Sequence, residues 1–258
     1  MPCFQYALVI PYYNERPRIN YSVETLLAFL VEKRDIEIIY VNDGSNDDSE
    51  NALKNKLSAH SLYKALIAQD RNIHFRFLSV PDGINLGKGG AIREGVLAAT
   101  APFIFYTDFD LAISLHETEK FLEVIHTLPD SRGIVVASRR QKSAILKNQS
   151  ILRKAFGKIF NKLMKFIIDL PISDTQCGFK MMDQKSAQQI FTHLNIKGFA
   201  FDVEILKRAL LLGIPVRERG VEIFFDDQYS TVNIYLDPLK MLFDLWKFKR
   251  SLRKDSCP

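Results

Sequence analysis

The sequence predicts an α/β fold built on a Rossmann-like, mostly parallel sheet with helices on both faces, and three observations carry that prediction. Short runs rich in β-branched and aromatic residues recur through the first half of the chain, and segments with helical periodicity separate them. Most of the runs also read as nearly continuous apolar stretches, as strands covered on both faces do.

The first run, 6–11, is too short for the core of an export signal and ends at a proline followed by Asn14 and Glu15, so it reads as a strand. A helical stripe over 22–33 leads to a strand at 36–41, and a helix over 47–57 to a strand at 74–80. A helix over 89–99 precedes a strand at 103–107, and a helix over 117–128 precedes a strand at 134–138. Beyond residue 145 the alternation gives way to a long amphipathic stretch, a loop around DTQCGFK, a helix, the run FAFDVEIL and a late strand pair over 215–225. No repeat or Pro/Ser-rich linker divides the chain. One domain over 1–225 is therefore expected, followed by a C-terminal amphipathic, membrane-associating helix over 226–258.

Composition narrows the class. With 47% hydrophobic and 25% charged residues in 258, the chain can bury one substantial core, and no run approaches the roughly 18 apolar residues of a spanning helix. Three cysteines without CxxC spacing suit neither a zinc site nor a disulfide framework, and point to a reducing, cytoplasmic compartment. The net charge of +5 is unevenly spread: between Asp130 and Asp169 there is no acid but ten Lys or Arg. A single-sign stretch of this kind favours an anionic partner. Nucleic acid is excluded as that partner, because the stretch interleaves phenylalanines at helical core spacing and carries no binding motif.

In open α/β sheets ligands bind beyond the carboxyl ends of the strands. The unusual polar clusters fall there: PYYNE, NDGS, DFD and SRR follow the first, second, fourth and fifth strands. In YTDFDL, Asp108 and Asp110 lie two apart, so continued extension would send both carboxylates to one side. Paired carboxylates suit Mg²⁺ or Mn²⁺, which commonly bridge protein oxygens to substrate phosphates. Asp43 of NDGS could accept hydrogen bonds from a nucleoside. NLGKGGAIREG has neither P-loop nor dinucleotide spacing, but its glycines allow close backbone approach and Lys88 could reach an anion at the helix start. Cys177, with no histidine nearby in sequence, reads as a packing residue.

Taken together, VIPYYNE, VNDGSNDDS, NLGKGGAIREG, YTDFDL, ASRR, DTQCGFK and FAFDVEIL resemble, in order, the inverting family-2 glycosyltransferases with the GT-A fold, especially the branch making dolichyl- or polyprenyl-phosphate sugars. The resemblance implies that Pro11, Tyr13, Glu15 and Asp43 hold the nucleoside and that Asp108 and Asp110 engage metal and diphosphate. It implies that Arg139 and Arg153 clamp phosphate oxygens, as the planar guanidinium does well. It places Asp174 beside the acceptor as base or orienting group, and Asp202 and Glu204 on the acceptor side. One departure is Ala112, where the branch often has a polar residue, so water and phosphate would complete the metal shell.

Relatives of this branch often append spanning helices. Here two amphipathic segments stand in their place: 151–168, and the row Leu236, Leu239, Leu242, Phe243, Trp246 and Phe248 with Lys249, Arg250, Arg253 and Lys254 behind it. The expectation is a hexosyltransferase using UDP-glucose or GDP-mannose on a polyprenyl phosphate, attached peripherally to the cytoplasmic face of a membrane. A family-2 enzyme acting on a glycan, protein or soluble hydroxyl is the alternative, and a non-enzymatic anionic-lipid binder the rival of another class.

Overall fold

The expected runs do form strands of one sheet, with the run at 74–80 at its edge, and alternate residues along them feed two separate cores. The computed structural model describes residues 4–69, 71–147, 168–224 and 236–255. Its first half alternates β1 (Tyr6–Tyr12), α1 (Ile19–Leu30), β2 (Ile36–Asn42), α2 (Ser49–Ala59), α3 (Ser61–Ala68) and β3 (Ile73–Ser79). There follow α4 (Lys88–Ala98), β4 (Phe103–Tyr106), α5 (Glu117–His126), β5 (Ile134–Ser138) and β6 (Ile145–Lys147). Then come β7 (Lys180–Asp183), α6 (Gln184–Phe191), α7 (Phe201–Leu211), β8 (Val216–Gly220), β9 (Glu222–Phe224) and α8 (Leu236–Asp255).

Ala7 and Val9 of β1, Val41 of β2 and Tyr106 of β4 pack with Ile92 and Val96 of α4, Phe191 of α6 and Leu206 of α7. Leu8, Ile10, Ile38, Tyr40 and Phe105 point the other way, onto Leu26 of α1, Leu53 of α2 and Phe121 of α5. Because strand side chains alternate, burial on both faces removes any polar register from the sequence. This is why β1 and β2 are buried at every position.

The main sheet runs β3-β2-β1-β4-β7-β5-β8. β1 is parallel to β2 and β4, and β2 to β3, so their carboxyl ends share one rim. β7 is antiparallel to both β4 and β5. Its first residue, Lys180, lies opposite Tyr106 and Val136, so the DTQCGFK loop reaches the same rim from the reverse direction. DTQCGFK was expected only as a loop, and the strand that follows it is four residues long.

The late strand pair is real but its partners differ from expectation. β8 joins the main sheet parallel to β5, while β9 pairs in parallel with β6, in a separate two-stranded sheet. The five earlier strands and four earlier helices all form within three residues of their expected bounds. α3 was not foreseen. The amphipathic stretch over 151–168 lies outside the described residues apart from Ile168, and the expected boundary at 225 also falls outside them. α8 packs Met241, Leu245 and Phe248 into the core that also holds α7.

Candidate active site at the carboxyl rim of the sheet

Five loops, after β1, β2, β4 and β5 and before β7, and the start of α4 lie at this rim. After β4 the chain does not stay extended: Leu111 N–H donates to Asp108 O at 3.1 Å, closing a turn in which Leu111 adopts φ 48°. Phe109 is driven into the core, which leaves Asp108 and Asp110 on its outer side. The two carboxylates thus share a side because Phe109 is buried, where the sequence reading relied on extension. Burial first, and then the neighbouring Asp108 charge, raise the pKa of Asp110, against the Ala112 N–H that donates to it at 3.1 Å.

Lys88, the first residue of α4, sends its ammonium to Asp108 Oδ1 at 2.5 Å. Burial works against that charge, but Asp108 and Asp202 outweigh it and hold the Lys88 pKa above its ordinary value. The loop that delivers Lys88 is fixed by Asp43, whose carboxylate accepts from Leu86 N–H at 2.7 Å and Gly87 N–H at 3.0 Å. Asp43 is only 3% exposed, and through these two bonds its carboxylate holds the glycine loop. Gly87 takes φ 86°, and a Cβ there would press on Lys197 O, so the turn admits glycine alone.

On the β1 side, Tyr12 is buried against Tyr40 and Phe109, while Tyr13 is exposed at the mouth. Pro11 is buried within β1, below the rim. Glu15 takes two hydrogen bonds from Arg18 Nη1, at 2.9 and 2.7 Å. Burial raises the Glu15 pKa, Arg18 opposes it, and the Asp110 and Asp108 charges add to it.

The β5 and β7 side carries the largest correction. Asp174 is 1% exposed, and its oxygens accept from Arg139 N–H at 2.9 Å, Nε–H at 2.7 Å and Nη2–H at 2.8 Å. Burial alone would raise its pKa, but the Arg139 guanidinium holds the carboxyl below the ordinary range. Glu218 of β8 fixes the same loop, accepting from Ser173 and Asp174 N–H at 2.9 Å each. A base must face its substrate, and this carboxylate faces an arginine. Asp202 is likewise engaged: Lys180, fully buried, donates to its Oδ1 at 2.5 Å and Tyr106 OH at 2.6 Å. Glu204 accepts from Asn195 and Ile196 N–H and pairs with Arg208, so it stabilises a loop and does not line an acceptor cleft.

Three contributors escaped the sequence reading: Arg18, Gly178 and Lys180. A Cβ on Gly178 would overlap Asp108 Oδ2, so this glycine makes room for the carboxylate pair. A lysine inside the apolar run FKMM was the available signal for a buried ion pair. Burial pushes the Cys177 thiol up to about 12, which keeps it protonated and inert, as its packing role requires. Arg153 lies outside the described residues.

Among the described residues no group of three or more His, Cys, Asp or Glu side chains is placed to hold a metal ion. The rim offers two hard carboxylates, and their mutual repulsion at Asp110 is relieved by a cation. That donor set fits Mg²⁺ or Mn²⁺ with phosphate and water completing the shell.

Residues 7–191 match the family described as Glycosyl transferase family 2. The chain is 30% identical over 262 residues to a dolichyl-phosphate beta-glucosyltransferase of Dictyostelium discoideum, covering 94% of this chain and 76% of that protein. It is 33% identical over 236 residues to one of Mus musculus (85% and 67%), and 30% over 253 to one of Saccharomyces cerevisiae (93% and 72%). Among solved structures it resembles glucosyl-3-phosphoglycerate synthase from Mycobacterium tuberculosis in complex with Mn²⁺, uridine diphosphate and glucosyl-3-phosphoglycerate. That likeness has a TM-score of 0.63 at 12% identity, over 95% of this chain and 79% of that one. The same synthase with Mn²⁺, UDP-glucose and phosphoglyceric acid gives a TM-score of 0.62 at 14% identity, over 95% and 80%.

Proposed function

Because this chain belongs to glycosyl transferase family 2, we propose that it transfers glucose from UDP-glucose to dolichyl phosphate or another polyprenyl phosphate, with inversion at the anomeric carbon. Glucose is preferred over mannose, and hence UDP-glucose over GDP-mannose, on the names of the relatives.

One observation carries the acceptor class. The two carboxylates on the β7 side of the rim, Asp174 and Asp202, are consumed by Arg139 and by Lys180 with Tyr106. A hydroxyl acceptor needs a base to take its proton, whereas a phosphate monoester, with a second pKa near ~6, arrives already ionised. The engaged carboxylates therefore support a phosphate oxygen as nucleophile. Its lone pair attacks C1, the bond from C1 to the diphosphate oxygen breaks, and no proton moves.

The donor side has matching chemistry. Tyr13 and Glu15 flank the space for the nucleoside, and Asp43 acts through the loop it pins. Asp108 and Asp110 would hold the metal, which when bound neutralises charge on the departing diphosphate. Lys88 stands at Asp108, within reach of the same charge. Arg139 is held by Asp174 through Nε and Nη2, which leaves Nη1 outside that pair and directed by a rigid partner. The lipid acceptor puts the reaction at a membrane surface, and we assign the enzyme a peripheral position on the cytoplasmic face.

The test is a panel of UDP-glucose, GDP-mannose and related donors with polyprenyl phosphate and Mn²⁺, read by the mass of the lipid product, with a chelator arm. A glucosyl phospholipid formed only from UDP-glucose is expected. Transfer to a sugar hydroxyl with none to the lipid phosphate would refute the acceptor class.

A further inference from the structure

We infer that the outer face of α8 is a membrane-docking surface for anionic lipid, set beside the active-site rim so that a lipid-borne phosphate is presented to it. The inference rests on the lipid-phosphate acceptor proposed above, and it names the surface and the lipid chemistry involved.

α8 has two apolar faces. Met241, Leu245 and Phe248 are buried in the core, as the inward stripe of a helix packed on a globular body should be. Leu239, Phe243 and Trp246 form a second row at helical spacing and are 64%, 55% and 50% exposed. Phe243 and Trp246 stack, with centroids 6.2 Å apart and rings 16° from parallel. A stacked aromatic pair standing in water is costly unless something apolar covers it.

The surrounding charge says what covers it. Lys247 Nζ lies 4.3 Å from the Phe243 ring centre and the Arg250 guanidinium 4.7 Å from that of Trp246. Leu236–Asp255 carries six Lys or Arg against three Asp. Asp244 is turned toward the body, where a Cβ on Gly198 would sit 3.6 Å from its Oδ2. Aromatic rings flanked by long cationic side chains are the composition of a helix lying in a headgroup layer, with rings at the acyl boundary and cations on lipid phosphates.

The placement links this surface to catalysis. Lys197, beside Gly198, accepts through its carbonyl from Gly90 N–H in the first turn of α4 at 3.0 Å. One short loop therefore touches α8 on one side and the segment that delivers Lys88 to Asp108 on the other. Phe199, 36% exposed, adds an apolar side chain to that loop.

Trp246 is the one tryptophan of the chain, so its fluorescence reports on this face alone. With the full-length protein and phosphatidylcholine vesicles containing phosphatidylserine, the emission should shift to the blue and be quenched by bromine-labelled acyl chains. Phosphatidylcholine alone should give little shift. Lys247→Gln and Arg250→Gln should each lower partitioning about 5-fold. Phe243→Ala should weaken it further, while UDP binding, read by calorimetry, stays at the wild-type level. A Trp246 signal unmoved by anionic vesicles overturns the inference, as does a dimer in sedimentation velocity that Phe243→Ala dissociates, which would assign the face to a second copy. Transfer to a short, water-soluble polyprenyl phosphate separates the two readings. Product without Trp246 insertion sinks the surface alone, and insertion without product sinks the acceptor assignment alone.

Discussion

Arg139 and Asp174, 35 residues apart, form a two-point pair: Nε–H to Oδ2 at 2.7 Å and Nη2–H to Oδ1 at 2.8 Å, with the Arg139 N–H adding a third bond at 2.9 Å. The pair joins the end of β5 to the loop before β7, and of the two roles expected of Asp174, base or orienting group, this geometry suits the second, since the carboxylate aims a guanidinium.

Asp174→Asn should cost about 1 kcal/mol of stability near neutral pH, because it removes the buried carboxylate that pairs with a partly exposed guanidinium. The sign of the pH dependence follows from the depressed carboxyl pKa: the stabilisation is present above the unfolded value of about 3.9 and is lost as pH falls through the lower folded value. Thermal melts of wild type and variant should therefore converge at the acid end. A gap that is constant with pH would contradict the pairing.

Gly178→Ala should reduce turnover far more than stability. Its methyl group would collide with the Asp108 carboxylate, which is partly exposed and can swing aside at a cost of about 1 kcal/mol. A displaced carboxylate is catalytically expensive, on the order of 100-fold. Steady-state kinetics set beside a melting curve give the comparison, and equal losses in both would argue against this placement.

Asp110→Ala should lower kcat on the order of 100-fold or more, at any Mn²⁺ concentration. Raising the metal should not restore it, because the carboxylate itself is missing. Circular dichroism identical to wild type would confirm that the loss is local.

Lys88→Met should do two opposite things. Without an ammonium on Asp108, Mn²⁺ should bind the nucleotide-free protein more tightly by about 1 kcal/mol, roughly 5-fold, since this pair is only partly buried. Turnover should fall, because a cation near the leaving diphosphate is gone. Electron paramagnetic resonance measures the first and a product assay the second; unchanged Mn²⁺ affinity would show that Lys88 does not compete for Asp108.

Much of this was readable from residues alone. Strands buried on both faces are nearly continuous in apolar residues, so β1, β2 and β5 stood out, and the polar clusters at their carboxyl ends marked the rim because a parallel sheet gathers those ends together. The carboxylate pair at 108 and 110, Lys88 and Arg139 all lie on that rim. Tertiary structure alone decided what each carboxylate faces. Asp43, Asp174 and Asp202 were read as facing ligands, yet they bind Leu86 and Gly87, Arg139, and Lys180 with Tyr106. Their partners are brought together by a four-residue antiparallel strand and by loops whose spacing in sequence carries no trace of the contact. For α8, periodicity announced an amphipathic helix. Which apolar row turns inward was left to the surface it meets, since Met241, Leu245 and Phe248 fit the core and leave Phe243 and Trp246 outside.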